Sequence, residues 1–145
     1  MPTAKINLTV TQFRDINTTP DNPRWSTASP PVITDNANGK VEISATNPDV
    51  IIVHGPAAID LEFTILPAGQ FLPAGIAYKQ VAGATDPKGK KNFDLGTLAG
   101  NTITIRDKLV DKGNSGSAPR WEFFITIQDS TGALGIIDPD IENEN

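Results

Sequence analysis

Acidic side chains near the end of the sequence have a spacing that could hold a metal ion. Asp138, Asp140, Glu142 and Glu144 occupy every second position, so in an extended chain they project from one face, about 6–7 Å apart. Carboxylate oxygens are the ligands that Ca²⁺ takes. We therefore predict Asp138, Asp140 and Glu142 as metal ligands if Ca²⁺ binds, and expect no other cofactor. The alternative is a charged strand that keeps a sheet edge from pairing with other molecules.

Two further residues are candidates for ligand binding. Trp25 stands in a proline-rich segment, where an indole can stack on a sugar ring or on a partner chain. His54 is the only histidine and ends an apolar, strand-like run. An imidazole there either caps backbone groups or takes part in binding. One histidine and no cysteine exclude a zinc site built from nitrogen and sulfur ligands.

A serine nucleophile is not supported, although one loop suggests it. Residues 113–117 superficially resemble the Gly-Asp-Ser-Gly-Gly loop of trypsin-like proteases, with His54 and Asp60 upstream. The loop lacks the aspartate, and the chain is too short for two barrels that would supply Ser115 with a base and an oxyanion hole. We predict that the protein has no catalytic residues and is not an enzyme. A hydrolase built on dispersed carboxylates remains the alternative, because such sites need no sequence motif.

Charge and composition limit the classes of partner and the compartment that are expected. The formal net charge of −5 opposes binding to a phosphate backbone, so no nucleic-acid partner is expected. No apolar run approaches the roughly 20 residues of a membrane helix, and the start of the sequence alternates instead of forming a signal peptide. The absence of cysteine fits a reducing compartment. We therefore expect a soluble, cytoplasmic protein.

Short alternating segments predict an all-β fold. Residues 5–11 alternate apolar and polar side chains, as do 59–65 and 101–106, whereas 50–53 and 120–127 are richer in apolar residues and should be central strands. We predict one domain over residues 1–145, an antiparallel β-sandwich of immunoglobulin-like or jelly-roll-like type, with a barrel as second choice. The predicted core residues are Ile6, Leu8, Val10, Val41, Ile43, Leu61, Phe63, Ile65, Ile103, Ile105, Trp121, Phe123 and Ile125.

Turn residues predict the connections. Prolines in residues 17–31 indicate a long loop, and residues 86–91 a basic turn. Asn38 and Gly39 favour a hairpin between strands at 32–34 and 40–45. Pro139 cannot donate to a ladder, so the last strand is expected to run along a sheet edge or to leave the sheet there.

The end of the sequence also resembles a known family. Asp138 and Pro139, followed by acidic positions to Glu144, resemble the closing signature of the DP-EP family of small bacterial proteins. In this sequence Glu144 precedes Asn145 where the family has a second proline. The resemblance implies a bacterial source and an all-β domain, and it carries no functional residues with it.

These observations predict a non-enzymatic binding or assembly module. Its partner is expected to be another protein or a second copy of itself, with a carbohydrate as the alternative ligand. The homo-oligomer prediction rests on Phe124, which lies opposite the core side of its strand beside Glu122 and Thr126 and should be covered by something.

Overall fold

Strands account for all the regular structure in the part of the chain that is described. The computed structural model describes residues 1–17, 25–82 and 91–145, without the side chains of residues 80 and 82. Within these residues there are twelve strands, and no helix that could cross a membrane. They are β1 (Thr3–Gln12), β2 (Thr27–Ala28), β3 (Val32–Asp35), β4 (Val41–Ile43), β5 (Val50–His54), β6 (Ile59–Leu66), β7 (Phe71–Ala82), β8 (Thr97–Ala99), β9 (Thr102–Asp107), β10 (Arg120–Asp129), β11 (Leu134–Ile137) and β12 (Asp140–Glu144).

The strands form two sheets that pack as a sandwich, which confirms the predicted fold class over the barrel. The first sheet has the order β2-β1-β6-β9-β8, with β3 also on β1. The second has the order β11-β10-β12-β5-β4, with β7 also on β10. Both sheets are mixed, because β1 pairs in parallel with β6 and β12 with β5. The alternating pattern predicted which segments are strands, but it does not determine whether two neighbouring strands run parallel or antiparallel.

The core lies between the sheets and follows the predicted faces. Strands β6 and β10 alternate buried and half-buried side chains along their length. Twelve of the thirteen predicted core residues are buried, and Ile43 is partly buried against them. Strand β5 is apolar on both faces and lies inside its sheet, between β12 and β4.

The predicted hairpin at residues 32–45 is wrong. Ala37, Asn38 and Gly39 do take positive φ angles, but they carry the chain from β3 in the first sheet to β4 in the second, so no hairpin forms. Three successive left-handed residues turn the chain out of one sheet, whereas a two-residue turn would have returned it. Of the predicted long loop, residues 18–24 lie outside the described residues and the rest contains the two-residue strand β2. The predicted basic turn, apart from residue 91, also lies outside the described residues.

The last strand is also not at an edge. Strand β12 pairs with β10 on one side and with β5 on the other. Its inward residues Ile141 and Asn143 are fully buried. Pro139 precedes the strand, so its missing N–H does not interrupt the pairing of β12.

Candidate functional site

A change of neighbouring strands in the second sheet creates a cleft. Strands β11 and β12 follow one another along β10 in a single register, with Ile137 opposite Ile125 and Ile141 opposite Trp121. On the side away from β10, however, β11 and β12 have different partners. Ser26 donates its N–H to Ile136 of β11 (2.8 Å), whereas β12 pairs with β5. Asp138 and Pro139 lie between these two neighbours, and a cleft opens beside them.

The cleft brings together two of the predicted site residues. It has a volume of about 210 Å³, and its lining includes Trp25 and Asp138, with Asp49 as a further carboxylate. Hydroxyl side chains of the 26–29 segment form one wall, and Leu8 and Ile137 supply apolar contacts. An aromatic face, carboxylates and hydroxyl groups therefore share one concave surface.

The indole of Trp25 packs against the ring of Phe124. The ring centroids are 5.4 Å apart at an interplanar angle of 31°, and the indole remains 43% exposed. Phe124 projects from the outer face of β10, and the register places Asp138 beside it. One side of the indole is packed while part of its surface remains open to a ligand.

The segment that carries Trp25 is anchored next to β11. Ser26 is buried, and its hydroxyl accepts the N–H of Arg14 at 2.8 Å. Gly135 faces this anchor: a Cβ there would lie 2.6 Å from Ser26 Oγ and 2.8 Å from Phe13 Cε2. The close approach of the segment to β11 therefore requires glycine at position 135.

Asp138 lies beside a second carboxyl group, that of Glu122. Burial, then a hydrogen bond with Glu122 and the charges of Glu122 and Asp140, raises the pKa of Asp138 to about 6. Glu122 lies directly opposite Asp140 in the β10–β12 ladder. The neighbouring carboxylates therefore add to the effect of burial in disfavouring the charged form of Asp138.

The other predicted metal ligands lie along the same outer face. Asp140 lies 3.4 Å from Arg120, and its pKa is raised, first by burial and against the effect of Arg120. The pKa of Glu142 is raised by burial and then by a hydrogen bond with Glu144. Among the described residues, no three histidine, cysteine, aspartate or glutamate side chains converge on a common metal position. Calcium binding by Asp138, Asp140 and Glu142 stays a prediction.

His54 lies on this face but away from the cleft. Its Nε2 is 3.4 Å from Glu42 Oε1 and its Nδ1 is 3.8 Å from Glu144 Oε1. The structure therefore does not bring His54 to Trp25, and a binding role for His54 stays a prediction. Ser115 lies in an exposed turn, while both ring nitrogens of His54 face glutamates.

Comparison with known proteins gives a distant fold similarity. No protein-family model and no curated protein matches the sequence. A solved structure of murine CRIg is similar over 72% of this chain and 94% of its own, with 8% sequence identity and a TM-score of 0.43. At these values the similarity carries no argument about function.

Sequence reasoning missed three contributors to the site. Asp49 and Ser26 reach the cleft through loops whose placement depends on β5 and β11. Glu122 meets Asp138 only because β10 and the 134–144 segment share one register. The outward position of Phe124 was the one local signal, since an apolar side chain among polar ones indicates a covering group.

Proposed function

We propose that the protein is a non-enzymatic binding module and that its ligand occupies the cleft between Trp25 and Asp138. The observation that supports this is the convergence of an exposed indole and two carboxylates, Asp49 and Asp138, in one concavity. A concave surface with one aromatic face and a few convergent polar groups is typical of small-ligand sites.

The chemistry of the cleft favours a neutral sugar. The C–H face of a pyranose can stack on an indole, while carboxylates and hydroxyl groups accept and donate hydrogen bonds to sugar hydroxyls. The cleft volume of about 210 Å³ is below the roughly 300 Å³ at which drug-sized pockets begin. This size suits a single sugar ring, with any longer chain extending into solvent.

A hydrolytic role fits this geometry less well. Glycosidases separate their two carboxyl groups by about 5–9.5 Å so that a nucleophile or a water molecule can act. Asp138 instead lies close enough to Glu122 for that side chain to raise its pKa, and Glu122 does not line the cleft. These two carboxyl groups are therefore not placed on either side of a bound sugar.

A protein partner is the second candidate, and the edge of the first sheet favours it. Strand β8 pairs with β9 and consists of three exposed residues. Leu98 on this strand is 51% exposed, and Leu95 just before it is 87% exposed. Apolar side chains beside a sheet edge are suited to strand addition by a partner.

Titration with sugars separates these candidates. We would add glucose, galactose, mannose and N-acetylglucosamine to ¹⁵N-labelled protein and follow the indole N–H of Trp25, with the buried Trp121 as internal reference. A binding sugar should shift Trp25 selectively, and Trp25→Ala should weaken binding by at least about tenfold, equivalent to about 1.4 kcal/mol. Leu98→Ala is the matched control on the second candidate surface.

The outcomes are distinct. Equal binding by wild type and Trp25→Ala would overturn the cleft as the site. Absence of binding across the sugars, together with capture of a partner protein that Leu98→Ala abolishes, would favour the sheet edge instead.

A further inference from the structure

Asp107 and Asn143 form a buried polar contact that joins the two sheets. Asp107 ends β9 in the first sheet, and Asn143 lies in β12 of the second. Both residues are fully buried, and Asn143 Nδ2 donates to Asp107 Oδ1 at 3.1 Å. The contact lies apart from the cleft, because neither residue lines it.

Among the residues that the structure describes, each of the two has one oxygen with no hydrogen-bond partner. Asn143 Nδ2 donates to Asp107 Oδ1 and also to the carbonyl of Asp111 at 3.2 Å, which fixes the orientation of the amide. Asp107 Oδ1 also accepts the N–H of Leu109 at 3.0 Å. The remaining atoms, Asp107 Oδ2 and Asn143 Oδ1, are both buried and unpartnered. Such groups are strongly disfavoured in a core.

We propose that Asp107 is a carboxylic acid in the folded protein at mildly acidic pH and donates its Oδ2 proton to Asn143 Oδ1. One proton then satisfies both unpartnered atoms. The acid donates through Oδ2 and accepts through Oδ1, while the amide does the converse, so two parallel hydrogen bonds join β9 to β12. An ionised Asp107 would leave its Oδ2 and the Asn143 Oδ1 as two acceptors with no proton to satisfy either of them.

The surroundings favour the neutral acid. Burial raises the pKa of Asp107 to about 7, and the two contacts that lower it are hydrogen bonds from the uncharged Leu109 and Asn143 groups. Tyr78 of β7 also faces this region, and burial followed by the charge of Asp107 raises its pKa. A negative charge on Asp107 would therefore disfavour a negative charge on Tyr78, and the reverse.

The charged groups nearby are engaged elsewhere. Lys112 donates through Nζ to the carbonyl of Leu109 at 3.1 Å. Asp111 accepts from the amide of Asn92 at 3.0 Å. Lys108 and Asp94 form an ion pair, with Nζ and Oδ1 3.2 Å apart.

A bound cation is the competing way to satisfy the two unpartnered oxygens. Ca²⁺ takes six to eight oxygen ligands. Within residues 1–17, 25–82 and 91–145, no group of three carboxylate, imidazole or thiol side chains is placed to hold a metal. A proton needs only the two oxygens that are present.

The proton makes the contact between the sheets sensitive to pH. The pKa of Asp107 in the folded chain lies above its ordinary 3.8, so between about pH 4 and 7 the folded state retains a proton that the unfolded state releases. The contribution of Asp107 is fully present below about pH 4 and is lost as pH rises to about 7. Across this window one proton changes the folding equilibrium constant by up to about tenfold per pH unit.

Carboxyl ¹³C NMR of the wild-type chain tests the proposal directly. The Asp107 resonance should titrate with a midpoint far above 4, near 7, and its chemical shift at pH 5 should be that of a carboxylic acid. A midpoint near or below 4 would overturn the proposal. Addition of CaCl₂ at constant pH should leave the resonance unchanged, and a calcium-dependent rise in melting temperature lost in Asp107→Asn would equally overturn it.

Asp107→Asn provides a second, independent readout. The new amide can donate to Asn143 Oδ1 as the acid does, so the variant should fold and its stability should depend less on pH between 4 and 7, by one proton. Asp60→Asn, at a half-exposed ion pair with Arg106, is the control and should retain the wild-type slope. An unchanged slope in Asp107→Asn would contradict the proposal, whatever its absolute stability.

Discussion

The indole of Trp25 covers the ring of Phe124 on the outer face of the second sheet, with the ring centroids 5.4 Å apart. Phe124 is the apolar side chain whose outward position suggested a covering subunit. The cover comes from the same chain, so Phe124 no longer requires a second copy. The oligomeric state itself stays a prediction that light scattering can test.

Trp25→Ala should therefore have an effect on self-association as well as on ligand binding. Loss of the aromatic contact is expected to lower the free energy of unfolding by about 0.5–1.5 kcal/mol, and the uncovered Phe124 should promote association. Light scattering over a concentration series measures the second effect. Leu98→Ala, which removes an exposed side chain, is the control, and an unchanged particle mass in Trp25→Ala would contradict the prediction.

Core substitutions should have larger effects on stability. Leu61 and Phe123 are fully buried on facing sheets, so Leu61→Ala or Phe123→Ala should each lower the free energy of unfolding by about 2–5 kcal/mol by leaving a cavity. Urea unfolding measures this. A loss below about 0.5 kcal/mol at either position would show that the residue does not contribute to the core as the structure indicates.

The sequence predicted burial better than it predicted pairing. Alternation of Ile6, Leu8 and Val10 sets which face of β1 is buried, because side chains of a strand alternate between its two sides. The choice of β6 as the parallel partner of β1 depends on contacts between distant segments, which leave no local pattern. Trp25 and Asp138 were predicted as site residues for separate reasons, and their convergence depends on the β10–β11 register.

The last strand shows how a local pattern can mislead. Asp140, Glu142 and Glu144 face outward and are typical of a solvated edge. Ile141 and Asn143 alternate with them and are fully buried. A single isoleucine among acidic residues was too weak a signal to predict a central strand, although it is the residue that packs into the core.

Deletion of residues 140–145 should consequently prevent folding. It removes a strand that pairs with both β10 and β5, whereas the charged edge strand expected from the sequence could be removed with little loss of stability. Circular dichroism and ¹H–¹⁵N spectra should show a largely unfolded chain. Removal of the exposed Asn145 alone is the control, and a cooperative transition in the longer deletion would contradict the central position of β12.

The pKa of Asp138 should respond to substitution of Glu122. The pKa of Asp138 is raised to about 6, first by burial and then by Glu122, so its effect on stability is lost as pH rises from about 4 to about 6. Glu122→Gln removes the like charge and should lower the midpoint of Asp138, though not to the ordinary value, because burial remains. Carboxyl NMR measures this midpoint, and Glu62→Gln on the other sheet is the control. An unchanged midpoint in Glu122→Gln would show that the two carboxyl groups do not interact.

Gly135→Ala should displace the segment that carries Trp25, although Gly135 itself does not line the cleft. The added methyl group would lie 2.6 Å from Ser26 Oγ, 2.8 Å from Phe13 Cε2 and 3.1 Å from the backbone carbonyl of Arg14. Overpacking of this kind lowers the free energy of unfolding by about 1–3 kcal/mol. The displaced Ser26 should lose its bond to Ile136, and Trp25 should become more exposed, which would shift its fluorescence to longer wavelength.

Gly75→Ala is the matched control, because Gly75 also lies in a strand and a Cβ there meets nothing within 4 Å. Equal stability and equal fluorescence in the two variants would mean that the approach of Ser26 to β11 does not position Trp25.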